Sequence, residues 1–536
     1  MTELLPGGAP RLTRLSDYVS HYAATAPERE AIVFGEARLS YAEFERQVAR
    51  CAAALQAAGV RPGDRVAMLT TPRPEFAIVL MAAQRIGAIW VGLNTRYRLP
   101  ELRHILEDCT PALLVSVRTT PEGRDFAPDL RAIAAEPGGP ARIITLPDAI
   151  PDVSQSFEDF LAAAGGAAPE PAPASPDDPT VIVYTSGTTG RPKGALLAHR
   201  NLIYCYEQVS RSFVGKEALR EDLRILCNLP PNHIGCISEM LGNAIIRGGA
   251  VVFAERFDPA EAGALIAKQR ITLFGGVPVM LEAMFAHPAF TGADLSSVRM
   301  IGWGGAPASR DLVRRMRETG AHLFTNYGLT EGGAVVSATG PDDSVEDLAE
   351  TVGRPDASGD QRLVGDDGAD AAPGRSGEIW LRGPGVFLGY WNNPEATQAA
   401  MAPGGWLRTS DLAHARPDGA WVLEGRKADM FKSGGFNVYP REIELALEEH
   451  PDVAYAAVIA VPDPQYFEVG AAFVAAKPGR APAPAEIVAF LRERLANYKV
   501  PKSIRVMQAL PMLPIGKVDK QALRRDVTPA GGDQNR

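Results

Sequence analysis

Between Val181 and Gly194 the chain passes from an apolar run, Val181-Ile182-Val183-Tyr184, straight into Thr185-Ser186-Gly187-Thr188-Thr189-Gly190-Arg191-Pro192-Lys193-Gly194. The run suits a buried strand. Glycines behind it let backbone amides approach an anion closely, the hydroxyl-bearing residues add donors, and Lys193 adds a positive charge. No glycine here is followed after four residues by adjacent Gly-Lys, so the loop is not a Walker A motif and a P-loop kinase is disfavoured. The plain alternative is a Ser/Thr/Gly-rich surface turn. Its density and its place directly behind an apolar strand favour phosphate binding, and nothing more specific.

The surrounding pattern alternates helix and strand. Ser40 and Glu43 form a Ser-x-x-Glu capping box ahead of Phe44, Val48, Cys51, Leu55 and Ala58 on one helical face. Gly59 supplies a stop, and Val66 to Leu69 reads as a buried strand. The segment His199 to Tyr206 is expected to be helical. Such alternation predicts an α/β fold with substantially parallel strands. A Gly/Ala/Pro-rich connection spans Gly165 to Pro179, and a second boundary lies near Gly425 to Asp429. Beyond it, a helix opened by Pro440, strands at Val453–Val461 and Ala471–Ala475, and a helix at Ile487–Leu495 make a small α/β domain. The chain thus divides into 1–427, 428–526 and a disordered tail, 527–536.

With 536 residues, 46% hydrophobic, there is material for more than one core. The 55 basic and 64 acidic residues show no basic run, which argues against a nucleic-acid partner. Cys51, Cys109, Cys205, Cys227 and Cys236 are odd in number and scattered, so buried free thiols are expected rather than disulfides or a zinc site. Charged residues interrupt Met1 to Ser20, and Phe76 to Ala83 is too short to span a bilayer. No integral membrane segment is expected, and a cytoplasmic location is.

Further motifs follow in order: Asn326-Tyr327-Gly328-Leu329-Thr330-Glu331-Gly332, Arg408-Thr409-Ser410-Asp411-Leu412, Gly425-Arg426-Lys427-Ala428-Asp429, and Pro514-Ile515-Gly516-Lys517. Together with the loop at 184–194, this series resembles the superfamily of acyl-CoA synthetases, luciferases and adenylation domains, over most of the chain. Each motif alone is weak; five in the family's order are specific. The resemblance implies a large N-terminal domain of layered α/β subdomains plus a β-rich subdomain, and a small, mobile α/β C-terminal domain. It implies ATP, Mg2+ and coenzyme A as cofactors. Thr185 to Gly190 and Lys193 would hold phosphates. Gly304, Gly305, Ala306, Pro307, Asn326, Tyr327 and Gly328 would surround adenine, with Tyr327 offering its aromatic face. Thr330 would touch phosphate and Glu331 would bind magnesium, which needs few carboxylates beside phosphate oxygens and water. Asp411 and Arg426 would hold the ribose.

Lys517 carries the largest catalytic expectation, since an ammonium between a carboxylate and an α-phosphate stabilises their meeting. Rotation of the small domain about position 428 would then exchange Lys517 for Ser433-Gly434-Gly435-Phe436, where glycines pass the pantetheine arm. The hinge, usually Asp or Lys in relatives, is Ala428 here; rotation needs backbone freedom rather than charge. Ser410 stands where relatives carry glycine.

Leu229-Pro230-Pro231-Asn232-His233-Ile234-Gly235 resembles the family's pocket-mouth motif. The residues alone leave His233 open between a structural role and a carboxylate gate, and the resemblance favours the gate. Ile234, Ile237, Trp303, Gly304, Gly328, Ala334 and Val335 are candidate acyl-pocket walls, apolar enough for an aliphatic, alicyclic or aryl acid. No acidic residue is read where amino-acid-activating relatives bind an ammonium, so amino-acid activation is disfavoured. The expected reaction joins a carboxylic acid to CoA through an acyl-adenylate. A free-standing adenylation enzyme loading a carrier protein is the alternative, and a homodimer stays open.

Overall fold

The computed structural model describes residues 3–166, 168–185, 192–213, 222–340, 342–355, 361–427, 429–433, 436–513 and 517–527. The chain forms two compact units: Met1–Asp360 with Leu381–Leu407, and Gln361–Trp380 with Arg408–Arg536. The sheet bearing Asp411 is thus grouped with the C-terminal residues.

The first unit holds two sheets with parallel centres. In one, the strands Pro179–Thr185, Ile89–Leu93, Arg65–Leu69, Leu113–Val117 and Ile143–Leu146 lie side by side in that order. In the other, the order is His322–Tyr327, Met300–Gly304, Leu273–Gly276, Arg224–Cys227, Ala250–Phe253 and Glu30–Phe34. The capping box forms as expected: Glu43 N donates to Ser40 Oγ at 3.3 Å and Ser40 N to Glu43 Oε2 at 2.9 Å. It starts a helix, Tyr41–Ala57, that buries Phe44, Val48, Cys51 and Leu55. Gly59 follows at a φ of 89°, which a side chain rarely adopts. All five cysteines are buried and free. Among the described residues no helix is long and apolar enough to cross a membrane.

The strand before the phosphate loop does not lead directly to a helix. Lys193–Ala198 returns antiparallel to Pro179–Thr185, with Thr185 opposite Lys193, and only then does the helix His199–Phe213 begin. The apolar run Ala195 to Ala198 makes this second strand, which the loop motif had masked. Gly194 is required there, because a Cβ would stand 2.8 Å from the Ile182 side chain.

In the second unit, Gln361–Val364, Gly377–Leu381, Trp406–Ala415 and Trp421–Arg426 contribute to one sheet. A second sheet contains Val453–Asp463 antiparallel to Phe467–Ala476, which pairs in parallel with Ser503–Met507. The helix Pro440–Glu448 buries Ile443, Ala446 and Leu447 against it. Glu444 from the same helix is also buried. It accepts from Val458 N at 2.9 Å and pairs with Lys520 Nζ at 2.7 Å and Arg441 at 3.3 Å. Burial raises its pKa, but the two cations outweigh that and hold it below the ordinary value.

Ser410 adopts a φ of 62°, which explains why glycine suits that position. Replacing it, Ser410→Gly, should raise stability by about 1 kcal/mol by removing the left-handed cost, read as a higher urea midpoint. Lys520→Ala should cost about 2 kcal/mol at neutral pH. The Lys520–Glu444 contribution is present above the unfolded carboxylate pKa and is lost as pH falls through the depressed folded value. The gap between variant and parent should therefore close in acid, measured by denaturation at stepped pH.

Candidate active site

In the first unit, two segments distant in sequence converge on one carboxylate, that of Glu331. Thr185 closes its strand, and its single hydroxyl hydrogen is shared between two acceptors, Glu331 Oε1 at 3.4 Å and the Lys193 carbonyl at 3.5 Å. Tyr390 donates its hydroxyl to the same Glu331 oxygen at 2.8 Å. The Glu331 carbonyl accepts from Phe387 N at 3.0 Å, fixing the backbone as well. Lys193 Nζ lies 5.3 Å from the Tyr390 ring centroid, a cation–π contact that keeps the ammonium beside the cluster. The fold thus brings together Thr185, Lys193 and Glu331. Residues Ser186, Gly187, Thr188, Thr189 and Gly190 lie outside the described residues.

Thr330 and Glu331 sit on a short 3-10 turn, Thr330–Gly332, after the strand His322–Tyr327. Gly328 allows the chain to fold back, since a Cβ would fall 1.4 Å from the Ala334 carbonyl oxygen. Glu331 Oε2 has no hydrogen-bond partner among the described residues. One open carboxylate oxygen beside hydroxyls is a donor set that suits magnesium, which keeps phosphate and water as its other ligands. Among the described residues, no cluster of three or more His, Cys, Asp or Glu side chains offers an all-protein metal cage.

Tyr390 was not singled out from sequence. It is carried by a two-residue edge strand, Gly389–Tyr390, paired with Lys193–Ala198, so its meaning comes only from that pairing. An aromatic hydroxyl in Gly389-Tyr390-Trp391 was the available signal.

Gly305, Ala306 and Pro307 are exposed after the strand Met300–Gly304, and Tyr327 is buried. Asn326 turns elsewhere. It lies opposite Gly304, where a Cβ would sit 2.5 Å from Asn326 Oδ1, and its Nδ2 donates to Glu239 Oε2 at 2.9 Å. Glu239 belongs to a wide-turned π-helix, Gly235–Gly242, which also carries the buried Ile237. His233 stands just before it. Its Nδ1 accepts from Gly235 N at 3.1 Å, so a neutral ring carries its proton on Nε2.

Ile234, Ala334 and Val335 are buried, Ala334 with a φ of 86°. Trp303 packs with Ile301, Leu312, Val313 and Met316 in the core. By strand alternation it points away from the face that Met300, Gly302 and Gly304 share with Phe324. Glycine backbone, not indole, covers that face. An acidic side chain nevertheless stands on it: Glu239, with its pKa raised by burial, and with Asn326 opposing the rise. The sequence reading, which placed no acid where amino-acid-activating relatives bind an ammonium, did not single out Glu239.

In the second unit, Asp411 and Arg426 face each other across paired strands, and Arg426 Nε donates to Asp411 Oδ1 at 3.0 Å. Thr409 Oγ1 accepts from Asp411 N at 3.1 Å, and Glu378 accepts from Ser410 N at 3.0 Å. Ser433 is buried at the end of Phe431–Ser433. Lys517 is half-buried, and its carbonyl accepts from Leu513 N at 2.6 Å. Ala428, Gly434 and Gly435 lie outside the described residues, as do Pro514 to Gly516.

A feruloyl-CoA synthase of Amycolatopsis sp is 38% identical over 503 residues, 94% of this chain and 97% of that protein. An indoleacetate–CoA ligase of Aromatoleum aromaticum is 37% identical over 95% of this chain and 98% of its own. The crystal structure of ATP-bound MatB from Rhodopseudomonas palustris superimposes with a TM-score of 0.84 at 30% identity, covering 95% of this chain and 98% of that one. The AMP-binding enzyme C-terminal domain matches residues 442–517. With the AMP-binding enzyme family itself matching residues 19–391, the chain belongs to that family.

Proposed function

We propose that this chain is an ATP-dependent carboxylic acid–CoA ligase. The observation that carries the reading is that Thr185 and Tyr390 both donate to one oxygen of Glu331, with Lys193 over the Tyr390 ring. It is supported by relatives named as CoA ligases for aromatic acids. In the first half-reaction a carboxylate oxygen of the acid attacks the α-phosphorus of ATP; the acyl-adenylate forms and pyrophosphate leaves. In the second, the CoA sulfur attacks the acyl carbonyl, the carbon–oxygen bond to AMP breaks, and the thiol proton is lost to solvent.

Thr185 and Lys193, with the loop Ser186 to Gly190, hold the phosphates. Glu331 would hold magnesium, and the bound ion would neutralise phosphate charge. Tyr390 is a positioning residue, since it orients Glu331 rather than touching substrate. Tyr327 and the Gly305-Ala306-Pro307 turn flank the base, and Asp411 with Arg426 holds the ribose. His233 gates the acid. Lys517 supplies the ammonium for adenylation, and Ser433, Gly434 and Gly435 border the CoA arm. Residues 1–427 and 428–526 act as the two functional domains, hinged at Ala428.

An acid panel assayed with ATP and Mg2+ should release AMP and pyrophosphate in a CoA-dependent steady state; a burst without turnover, restored by a carrier protein, would instead identify a carrier-loading enzyme. Lys517→Ala should lower acid-dependent pyrophosphate exchange on the order of a hundredfold with ATP binding retained. Tyr390→Phe removes one hydrogen bond to a charged group and should lower kcat/KM about tenfold while raising the Mg2+ concentration needed for half-activity.

A further inference from the structure

The Glu239 carboxyl is partly enclosed, and only one of its oxygens is satisfied by protein. Oε2 takes the Asn326 amide at 2.9 Å, whereas Oε1 has no hydrogen-bond partner among the described residues, and no lysine or arginine pairs with the group. The side chain nevertheless keeps some accessible surface, unlike its helix neighbours Ser238 and Met240, which are buried. Two glycines let backbone lie directly against the pair. A Cβ at Gly235 would crowd Glu239 Oε1 at 3.2 Å, and one at Gly304 would strike Asn326 Oδ1 at 2.5 Å. Cys205 lies near enough for the Glu239 charge to raise its pKa further, after burial itself, so a thiol flanks the carboxyl rather than a cation.

An occupant that displaces water from this oxygen without offering a matching polar group leaves it unpaired, and is penalised. We propose that Glu239 is a specificity-determining residue of the acyl pocket: Oε1 binds a hydroxyl on the organic part of the acid, and the substrates are hydroxylated carboxylic acids. A hydroxyl fits either protonation state, since it donates to a carboxylate and accepts from a carboxylic acid. An ammonium suits the ionised form alone and a ketone the protonated form alone. Burial, which favours the neutral carboxyl, therefore counts against an ammonium. Asn326 acts as the orienting partner, and the Ile234 and Ile237 side of the helix supplies the apolar remainder. The inference rests on the ligase reading, because it assigns the acid that this enzyme activates.

The test compares 3-phenylpropanoate with its 3-hydroxy- and 4-hydroxyphenyl counterparts, and hexanoate with 6-hydroxyhexanoate, using the full chain with ATP, Mg2+ and CoA. A site built around a hydrogen bond rejects the analogue that lacks it far more strongly than a site missing one methylene. The parent enzyme should prefer a hydroxylated member of at least one pair by about tenfold or more in kcat/KM. In Glu239→Leu that ratio should fall to near one or invert, through gain on the deoxy acid as well as loss on the hydroxylated one. Glu239→Gln, which keeps shape and hydrogen bonding, should retain part of the preference; it serves equally if the leucine variant does not fold. Equal or deoxy-favouring turnover by the parent, or an unchanged ratio in both variants, would overturn this inference alone. Absence of AMP release from every acid, hydroxylated or not, would overturn the ligase reading and this inference with it.

Discussion

One carboxylate oxygen, Glu331 Oε1, accepts hydroxyl hydrogens from two segments more than two hundred residues apart, Thr185 and Tyr390. Much of the first unit's local architecture serves that meeting. The hairpin around 185–193 brings Lys193 to the same place, the edge strand 389–390 hydrogen-bonds to the hairpin, and the Gly328 reversal turns Glu331 toward both. A carboxylate held this way by neutral donors keeps its full charge available to a cation, whereas an arginine partner would have spent it.

How much of this was legible in the sequence depended on whether a residue's role is local or created by folding. Thr185, Lys193, Glu331, Asp411 and Arg426 sit in compact motifs whose residue types announce their chemistry, and the fold brings each set together. The α/β architecture was readable from the capping box at Ser40 and from apolar runs such as Val66 to Leu69. Tyr390 and Glu239 were not. Each is a single polar side chain in an apolar context, and its partner lies 59 or 87 residues away. The second strand of the hairpin was also hidden, because Ala195 to Ala198 is as compatible with a helix as with a strand. Trp303 illustrates the reverse error: an aromatic next to a motif suggests a pocket wall, but period-two alternation sends it into the core.

Local geometry also explains a departure that composition could not. Ser410 interrupts a motif where glycine is common, and its positive φ shows what glycine would supply. Two backbone bonds, Ser410 N to Glu378 Oε1 and Lys427 N to the Ser410 carbonyl, hold the residue in that conformation. Neighbouring Asp411 still meets Arg426, so strain at one residue has not displaced the next.

The chain crosses between its two compact units at 360/361, 380/381 and 407/408. The first unit is consequently discontinuous, and Tyr390 belongs to the stretch that returns to it. During synthesis from the N-terminus, Glu331 can acquire its Thr185 hydroxyl early but must wait for the second one until the polypeptide has left and come back. Completion of the cradle is thereby coupled to emergence of the excursion at 361–380. A nick at any one crossing would still leave two covalent tethers between the units.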